Sequence, residues 1–211
     1  AMYRVKNNGR NGSEFASHSS PHALAKQQTS MAQRLTMETE LHHALHQNSF
    51  FLVYQPIVDV RNGRLHSVEA LIRWRRADGA LVAPDVFIPI AEQSHLIVQI
   101  GRWVLGQVCR DLAAMREANF QSLNVHVNMA ASEFANSSLP DELLTQLAVF
   151  NLAPSNLTLE LTEGMLMKRP DQVIPVMRAL RRLDFGISLD DFGMGHSSLS
   201  LLKNLPISSL K

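Results

Sequence analysis

The first half of the chain contains one helical pattern and two extended patterns. From Thr36, the apolar residues Met37, Leu41, Ala44 and Leu45 recur at helical spacing and predict one apolar helix face. Phe50 to Val60 is rich in aromatic and β-branched residues, which favours a strand. Asn62-Gly63 follows and favours a tight turn because both residues tolerate positive φ. Leu65 to Trp74 is then predicted to be the returning strand of a hairpin.

Beyond this hairpin, helical and extended patterns alternate. Helical spacing is found around Ile97 to Leu112, Leu143 to Leu147 and Val173 to Leu183, and extended segments are found at Leu123 to Asn128, Leu157 to Thr162 and Phe185 to Leu189. Strands that alternate with helices of this length indicate βαβ units and therefore a parallel sheet. The predicted fold class is α/β.

Composition narrows the class of protein. The 211 residues are 45% hydrophobic and have a net charge of +1, which favours neither a nucleic-acid-binding stripe nor an acidic tail. The single cysteine, Cys109, fits a reducing compartment, and no apolar run reaches the roughly 18 residues of a membrane span. We therefore expect a cytoplasmic segment that contacts neither DNA or RNA nor a membrane.

Polar side chains stand where the predicted strands approach their ends. They are Glu69, Asn128, Glu160 and the pair Asp190-Asp191. Parallel strands of a barrel all end on one face, so these side chains are expected to converge there. Hard oxygen ligands without a Cys or His cluster favour magnesium or manganese over zinc. The alternative is that each acid is a helix cap or a solvated loop residue.

The segment Asp190-Asp191-Phe192-Gly193 carries a more specific signal. Two adjacent aspartates at a strand end can hold two cations, an arrangement that suits hydrolysis of a phosphodiester by an attacking water.

These segments together resemble the EAL domain of cyclic di-GMP phosphodiesterases. The matching motifs are Tyr54-Gln55-Pro56-Ile57, Val68-Glu69-Ala70-Leu71-Ile72-Arg73-Trp74, Phe87-Ile88-Pro89-Ile90-Ala91-Glu92, Val127-Asn128-Met129, Leu159-Glu160-Leu161-Thr162-Glu163 and Asp190-Asp191-Phe192-Gly193. The resemblance covers Thr36 to Lys211. It implies a modified (β/α)8 TIM-type barrel that converts cyclic di-GMP to linear pGpG with Mg2+ or Mn2+, in the bacterial signalling that controls biofilms and motility.

The resemblance also implies roles for individual residues. Those expected to hold metal are Glu69, Asn128, Glu160, Asp190 and Asp191. Lys211 would orient the attacking water, and Glu163 would hold the loop that follows Asp191. Gln55 and Arg73 would contact the substrate. A homodimer formed through the EAL domain is also implied.

A second, shorter resemblance lies at the start of the chain. Ala1 to Asn11 resembles the closing helix and turn of a GGDEF domain. The polar stretch that continues to about Gln28 resembles a loop and linker. The predicted organisation is a GGDEF remnant at residues 1–15, a linker at 16–35 and the EAL domain at 36–211. The alternative to a plain cytoplasmic protein is the cytoplasmic part of a larger membrane-anchored sensor.

Two alternatives to an active hydrolase remain open. The first is a catalytically weak or inactive module that binds cyclic di-GMP or a protein partner. The second is an unrelated magnesium-dependent barrel enzyme, which does not account for Gln55 and Arg73.

The resemblance places the last barrel strands, a further glutamate and a late glutamine beyond Lys211, so we expect an incomplete barrel and a Lys211 ammonium that is not held in place. Three features are interpreted as structural: the histidines His42, His43 and His46 as a solvated helix face, and Cys109 and the tryptophans Trp74 and Trp103 as core.

Overall fold

The computed structural model describes residues 21–120, 122–193 and 205–211. The helices are α1 (Pro21–His46), α2 (Pro84–Gln93), α3 (Ile97–Glu117), α4 (Ala131–Phe134), α5 (Leu139–Val149), α6 (Glu163–Lys168) and α7 (Pro170–Arg182), with a 3-10 turn at Pro154–Asn156. The strands are β1 (Phe50–Val58), β2 (Leu65–Arg75), β3 (Leu81–Val82), β4 (Asn124–Asn128), β5 (Leu157–Thr162), β6 (Gly186–Asp190) and β7 (Ser209–Leu210).

Helix α1 begins well before the predicted start at Thr36. Its first residue is Pro21, so residues 21–28, which were predicted to be part of a loop, are helical. The assignment of residues 16–35 as a linker between domains stays a prediction. The segment contains many strong helix formers, such as Ala, Gln, Lys and Met, and a proline is well tolerated in the first turn. It lacks an apolar face, which is why the periodicity did not reveal it. The predicted GGDEF remnant lies outside the described residues.

The C-terminal part of α1 shows the predicted apolar face. Leu41 and Ala44 are buried, whereas the histidines His42, His43 and His46 are exposed. The interpretation of these histidines as a solvated face is therefore confirmed. The boundary between two compact units, Ala1–Glu40 and Leu41–Lys211, falls within this helix.

The described strands form a seven-stranded sheet. Six of them follow the order β1-β2-β4-β5-β6-β7, and the short strand β3 pairs with the end of β2, outside this order. β1 and β3 run antiparallel to β2, and all the other neighbours are parallel, as the alternating pattern predicted. The first hairpin closes through a six-residue loop rather than the predicted two-residue turn, because the Asp59 amide donates to the carbonyl of Arg64 at 2.9 Å. In its Asn-Gly pair only Gly63 has a positive φ, of 66°. β7 was not predicted.

The two faces of the sheet differ in polarity. On β4, Val125 and Val127 are buried, while Asn124, His126 and Asn128 alternate with them and lie on the opposite face. Because this alternation continues through β2, β5 and β6, the second face is lined by polar residues. The site described below is built on that polar face.

An aromatic cluster closes the core beside the first hairpin. Phe50 is at its centre, with its ring centroid 5.7–6.2 Å from those of Trp74, Phe87 and Trp103. The rings of Trp74 and Phe87 also contact each other, with centroids 5.8 Å apart. Cys109 is also buried. The interpretation as core is confirmed for Trp74 and Cys109, which are buried, whereas Trp103 is half-buried and packs against Phe50. Across residues 21–120, 122–193 and 205–211, no helix combines the length and the apolarity needed to cross a bilayer.

Candidate functional site

Four predicted site residues come together on the polar face of the sheet. The ammonium of Lys211 donates to Glu69 Oε2 at 2.8 Å and lies 2.6 and 2.8 Å from the two carboxylate oxygens of Glu160. Asn128 Nδ2 donates to Glu69 Oε1 at 2.8 Å. These residues lie on β2, β4 and β5 and at the end of the described chain, so the sheet joins groups up to 142 positions apart.

The charges of this cluster stabilise one another. Burial alone would raise the pKa of Glu69, but hydrogen bonds from Lys211 and Asn128 outweigh it and hold that pKa below its usual value. Burial alone would lower the pKa of Lys211, but hydrogen bonds to Glu160 and Glu69 raise it. Both groups are therefore charged at neutral pH, and the ammonium bridges two carboxylates.

The position of Lys211 contradicts the expectation that its ammonium is not held in place. Its backbone amide donates to the Leu189 carbonyl at 2.9 Å, and its own carbonyl accepts from the Phe192 amide at 3.3 Å. The pairing of β7 with β6 directs the chain to this point, and the two carboxylates then fix the side chain.

The paired aspartates stand at the neighbouring strand end. Asp190 is the last residue of β6, and its Oδ1 accepts from the Asp191 amide at 2.9 Å. Asp191 has a φ of 55°, a left-handed conformation that is uncommon for a residue other than glycine. In the part of the chain that the structure describes, no three His, Cys, Asp or Glu side chains converge closely enough to form a metal-binding group. The two aspartates and Glu160 line the same cavity.

Glu163 lies at the first position of α6, just past the end of β5. Its carboxylate is 7% exposed, and Oε2 accepts a hydrogen bond from the Gly193 amide at 3.1 Å. Thr162 caps the helix by accepting from the Met165 amide at 3.4 Å. The hydrogen bond expected between Glu163 and the loop after Asp191 is present, while Met194 and His196 of that loop lie outside the described residues.

A cavity of about 590 Å3 opens beside the cluster. Its lining includes Arg73, Asn128, Glu160, Asp190 and Asp191, together with apolar residues such as Ile72, Ile88, Pro89, Ile97 and Met165. A largely apolar wall with a few convergent polar groups is typical of a small-molecule site.

The two residues predicted to contact substrate are placed differently. Arg73 lines the cavity, and its guanidinium donates to the Ile72 carbonyl at 2.9 Å. Gln55 is exposed and lies directly opposite Glu69 in the antiparallel pair of β1 and β2, so both side chains are on the same face. Gln55 is not among the residues that line the cavity.

The donor set fits a hard divalent cation. Glu69 and Glu160 supply carboxylate oxygens. Because the amide nitrogen of Asn128 is directed to Glu69, its carbonyl oxygen is the atom left for a cation. Asp190 lines the same cavity from the next strand.

His126 is a site residue that the sequence analysis did not identify. Its Nδ1 lies 2.5 Å from Glu160 Oε1, and its side chain is 12% exposed. The signal was available, because His126 alternates with Asn124 and Asn128 along β4 and so lies on the same face as Asn128. Glu160, the partner of His126, is 34 residues away in the sequence, however, and the strand pattern alone does not identify this pair.

Comparison with known proteins gives consistent matches. The family model described as "EAL domain" matches residues 38–211. Across all 211 residues the chain is 42% identical to "Cyclic di-GMP phosphodiesterase NbdA" and 41% identical to "Bifunctional diguanylate cyclase/cyclic di-GMP phosphodiesterase MucR", both from Pseudomonas aeruginosa. It spans only 26% of the first relative and 30% of the second.

Solved structures agree with these matches. "PaMucR Phosphodiesterase, c-di-GMP complex" superposes with a TM-score of 0.78 at 40% identity, over 83% of this chain and 71% of that one. "EAL Enzyme Bd1971" in a form with cAMP and cyclic di-GMP bound superposes with a TM-score of 0.79 at 31% identity, over 86% of this chain and 50% of that one. The predicted fold class, an incomplete TIM-type α/β barrel, is confirmed.

Proposed function

The chain belongs to the EAL domain family, and from this premise we propose that the complete protein is a metal-dependent phosphodiesterase that hydrolyses cyclic di-GMP to linear pGpG. The observation that carries the proposal is the cluster of Glu69, Asn128, Glu160 and Lys211 beside a cavity of about 590 Å3. The relatives named above are phosphodiesterases of this class, and the solved neighbours have cyclic di-GMP bound.

The family's phosphodiesterases depend on a divalent metal, and we propose Mg2+ or Mn2+ because the available donors are hard oxygens. Glu69, Asn128, Glu160 and Asp190 would hold a first ion, and Asp191 together with Asp190 would hold a second. When bound, such ions neutralise phosphate charge and lower the pKa of water.

The residues of the chain would divide the remaining work. Arg73 can pair with a phosphate oxygen from the cavity wall, and Gln55 can contact the nucleotide from the strand opposite Glu69. The ammonium of Lys211 can donate hydrogen bonds to the attacking water and orient its oxygen toward phosphorus. As that oxygen bonds to phosphorus, the water gives up a proton to solvent and the bond to the ribose 3′ oxygen breaks. The leaving oxygen takes up a proton from solvent, which gives the 3′ hydroxyl and the 5′ phosphate of pGpG.

A second candidate function is a receptor that binds cyclic di-GMP without cleaving it. It is favoured by the ammonium of Lys211, which occupies oxygens of Glu69 and Glu160. In a receptor, the cavity and Arg73 would still hold the nucleotide.

Product chromatography of the full-length protein with cyclic di-GMP and Mg2+ or Mn2+ distinguishes the two functions. Glu69→Ala should lower turnover by about 100-fold or more, since it removes a ligand that neutralises the phosphate site. Glu117→Ala, which removes an exposed acid at the end of α3, is the matched control. Equal rates in the two variants would refute the metal assignment, and binding without product would favour the receptor.

Three predictions about the whole protein remain proposals. The GGDEF remnant is supported by a match over all 211 residues of this chain to a bifunctional relative whose name includes diguanylate cyclase. The homodimer rests on the resemblance to the family. The cytoplasmic location rests on the single cysteine, Cys109.

A further inference from the structure

His126 lies at the floor of the candidate metal site. In the pairing of parallel strands β2 and β4 it stands beside Glu69, so its imidazole is on the same face as the acids. Its Nδ1 lies 2.5 Å from Oε1 of Glu160, a side chain with no exposed surface. The contact therefore joins a nearly buried ring to a fully buried carboxylate.

The two oxygens of Glu160 have different surroundings. Lys211 lies close to both, at 2.6 and 2.8 Å, whereas the imidazole contacts Oε1 alone. Because the imidazole contacts one oxygen and not the other, it resists rotation of the carboxylate about its last torsion, which is otherwise broad. With the carboxylate fixed in this way, the orientation of its second oxygen, Oε2, is fixed as well.

We propose that His126 is a positioning residue of the metal site, which donates its Nδ1 proton to Glu160 Oε1 and thereby fixes the carboxylate for a divalent cation. The inference rests on the proposed role of Glu160 as a metal ligand. Hydrogen-bond partners of metal ligands typically change metal affinity by about 10- to 100-fold when they are removed. Loss of the imidazole should therefore weaken cation binding without altering the nucleotide cavity, since His126 is not among its lining residues.

Three variants separate hydrogen bonding from packing. His126→Leu keeps much of the volume but removes the donor. His126→Asn places an amide nitrogen near the position of Nδ1, whereas His126→Gln extends its nitrogen toward the position of Nε2. A role in positioning predicts that Asn restores function better than Gln, although Gln is closer to histidine in size. A role in packing predicts the opposite order.

The experiment measures Mn2+ affinity by calorimetry on the metal-free, full-length protein, together with KM and kcat for cyclic di-GMP. We expect His126→Leu and His126→Gln to bind Mn2+ about 10- to 100-fold more weakly, with KM unchanged and kcat largely restored at high Mn2+. His126→Asn should stay within about threefold of the unaltered protein. A metal-free thermal melt checks folding, and if the Leu variant does not fold, the comparison of Asn with Gln decides.

Glu160→Gln is included as the reference variant. If it binds Mn2+ as tightly as the unaltered protein, Glu160 is not a ligand and the proposed site itself fails. If Glu160→Gln loses affinity while His126→Leu and His126→Gln do not, only the role of His126 is refuted. Equal losses in the Asn and Gln variants would likewise overturn the assignment of Nδ1 as the donor.

Discussion

The buried acid Glu133 should make the stability of the fold fall as pH rises from about 4.5 to about 7. Its side chain is 8% exposed, and burial raises its pKa to about 7, although a hydrogen bond from the Ala130 amide at 2.8 Å acts in the opposite direction. The carboxyl group lies against Gly101 of α3, where there is no side chain to move aside. The ionised form is therefore disfavoured in the folded chain.

The sign and size of the effect follow from proton linkage. Since the folded pKa is about 7 against an ordinary value of 4.5, the folded state binds more protons between these limits. The stabilisation is fully present below about pH 4.5 and is lost as pH rises to about 7. At 1.36 kcal/mol per pKa unit, the loss is about 3 kcal/mol. Glu133→Gln cannot ionise, and its amide oxygen can still accept the proton of the Ala130 amide.

Urea unfolding at pH 5, 6, 7 and 8 tests this prediction in the 211-residue chain. Its two tryptophans, Trp74 and Trp103, both belong to the aromatic cluster and report unfolding by fluorescence. We expect Glu133→Gln to exceed the stability of the unaltered chain by less than about 1 kcal/mol at pH 5 and by up to about 3 kcal/mol at pH 8. Glu117→Gln makes the same change at an exposed position and is the control. A variant as sensitive to pH as the unaltered chain would refute the argument.

Three further predictions follow from contacts in and around the site. Lys211→Met should raise Mn2+ affinity in calorimetry about tenfold, because the ammonium competes with a cation for carboxylate oxygens, and should lower kcat about 100-fold to a rate that can still be measured. Weaker Mn2+ binding would show that the ammonium supports the metal. Gly101→Ala should lower the free energy of unfolding by about 1–3 kcal/mol in urea titrations, since its Cβ would lie 2.0 Å from a buried carboxylate oxygen. Gly106→Ala on the same helix meets only a flexible amide at 3.0 Å and should be tolerated, so equal losses would contradict this reasoning. Glu163→Gln should reduce kcat but keep first-site Mn2+ affinity, because its contact is the Gly193 amide; a loss of affinity as complete as that of Glu160→Gln would refute it.

The sequence predicted those features that depend on strong local periodicity. The alternation of strands with helices predicted the parallel sheet. The prediction that strand ends converge is matched at β4 and β5, where Asn128 pairs with Glu160. The start of α1 at Pro21 was missed because a helix without an apolar face carries no periodic signal. The two-residue strand β7 was missed because its conformation depends on pairing with β6 rather than on its own residues.

The candidate site was predictable only as far as its residues match a known motif. His126 lies outside the motif, and its role depends on a contact with Glu160 that exists only after β4 and β5 pair. Glu133 gave no signal either, since an acid in the first turn of a helix is usually solvated. Its burial against Gly101 depends on how α3 and α4 pack. Such roles arise from tertiary contacts.

Tertiary contacts also connect Glu163 with Lys211, two residues whose roles were predicted separately from the sequence. Glu163 accepts from the Gly193 amide, the adjacent Phe192 amide donates to the Lys211 carbonyl, and the Lys211 ammonium lies against Glu160. Each link is a hydrogen bond between groups on different strands or loops, so movement of the loop after β6 must alter the backbone that carries the ammonium. The loop-holding role proposed for Glu163 and the water-orienting role proposed for Lys211 are therefore coupled. A loss of kcat in Glu163→Gln is expected to act through the position of the ammonium, and the double variant with Lys211→Met should show no further loss.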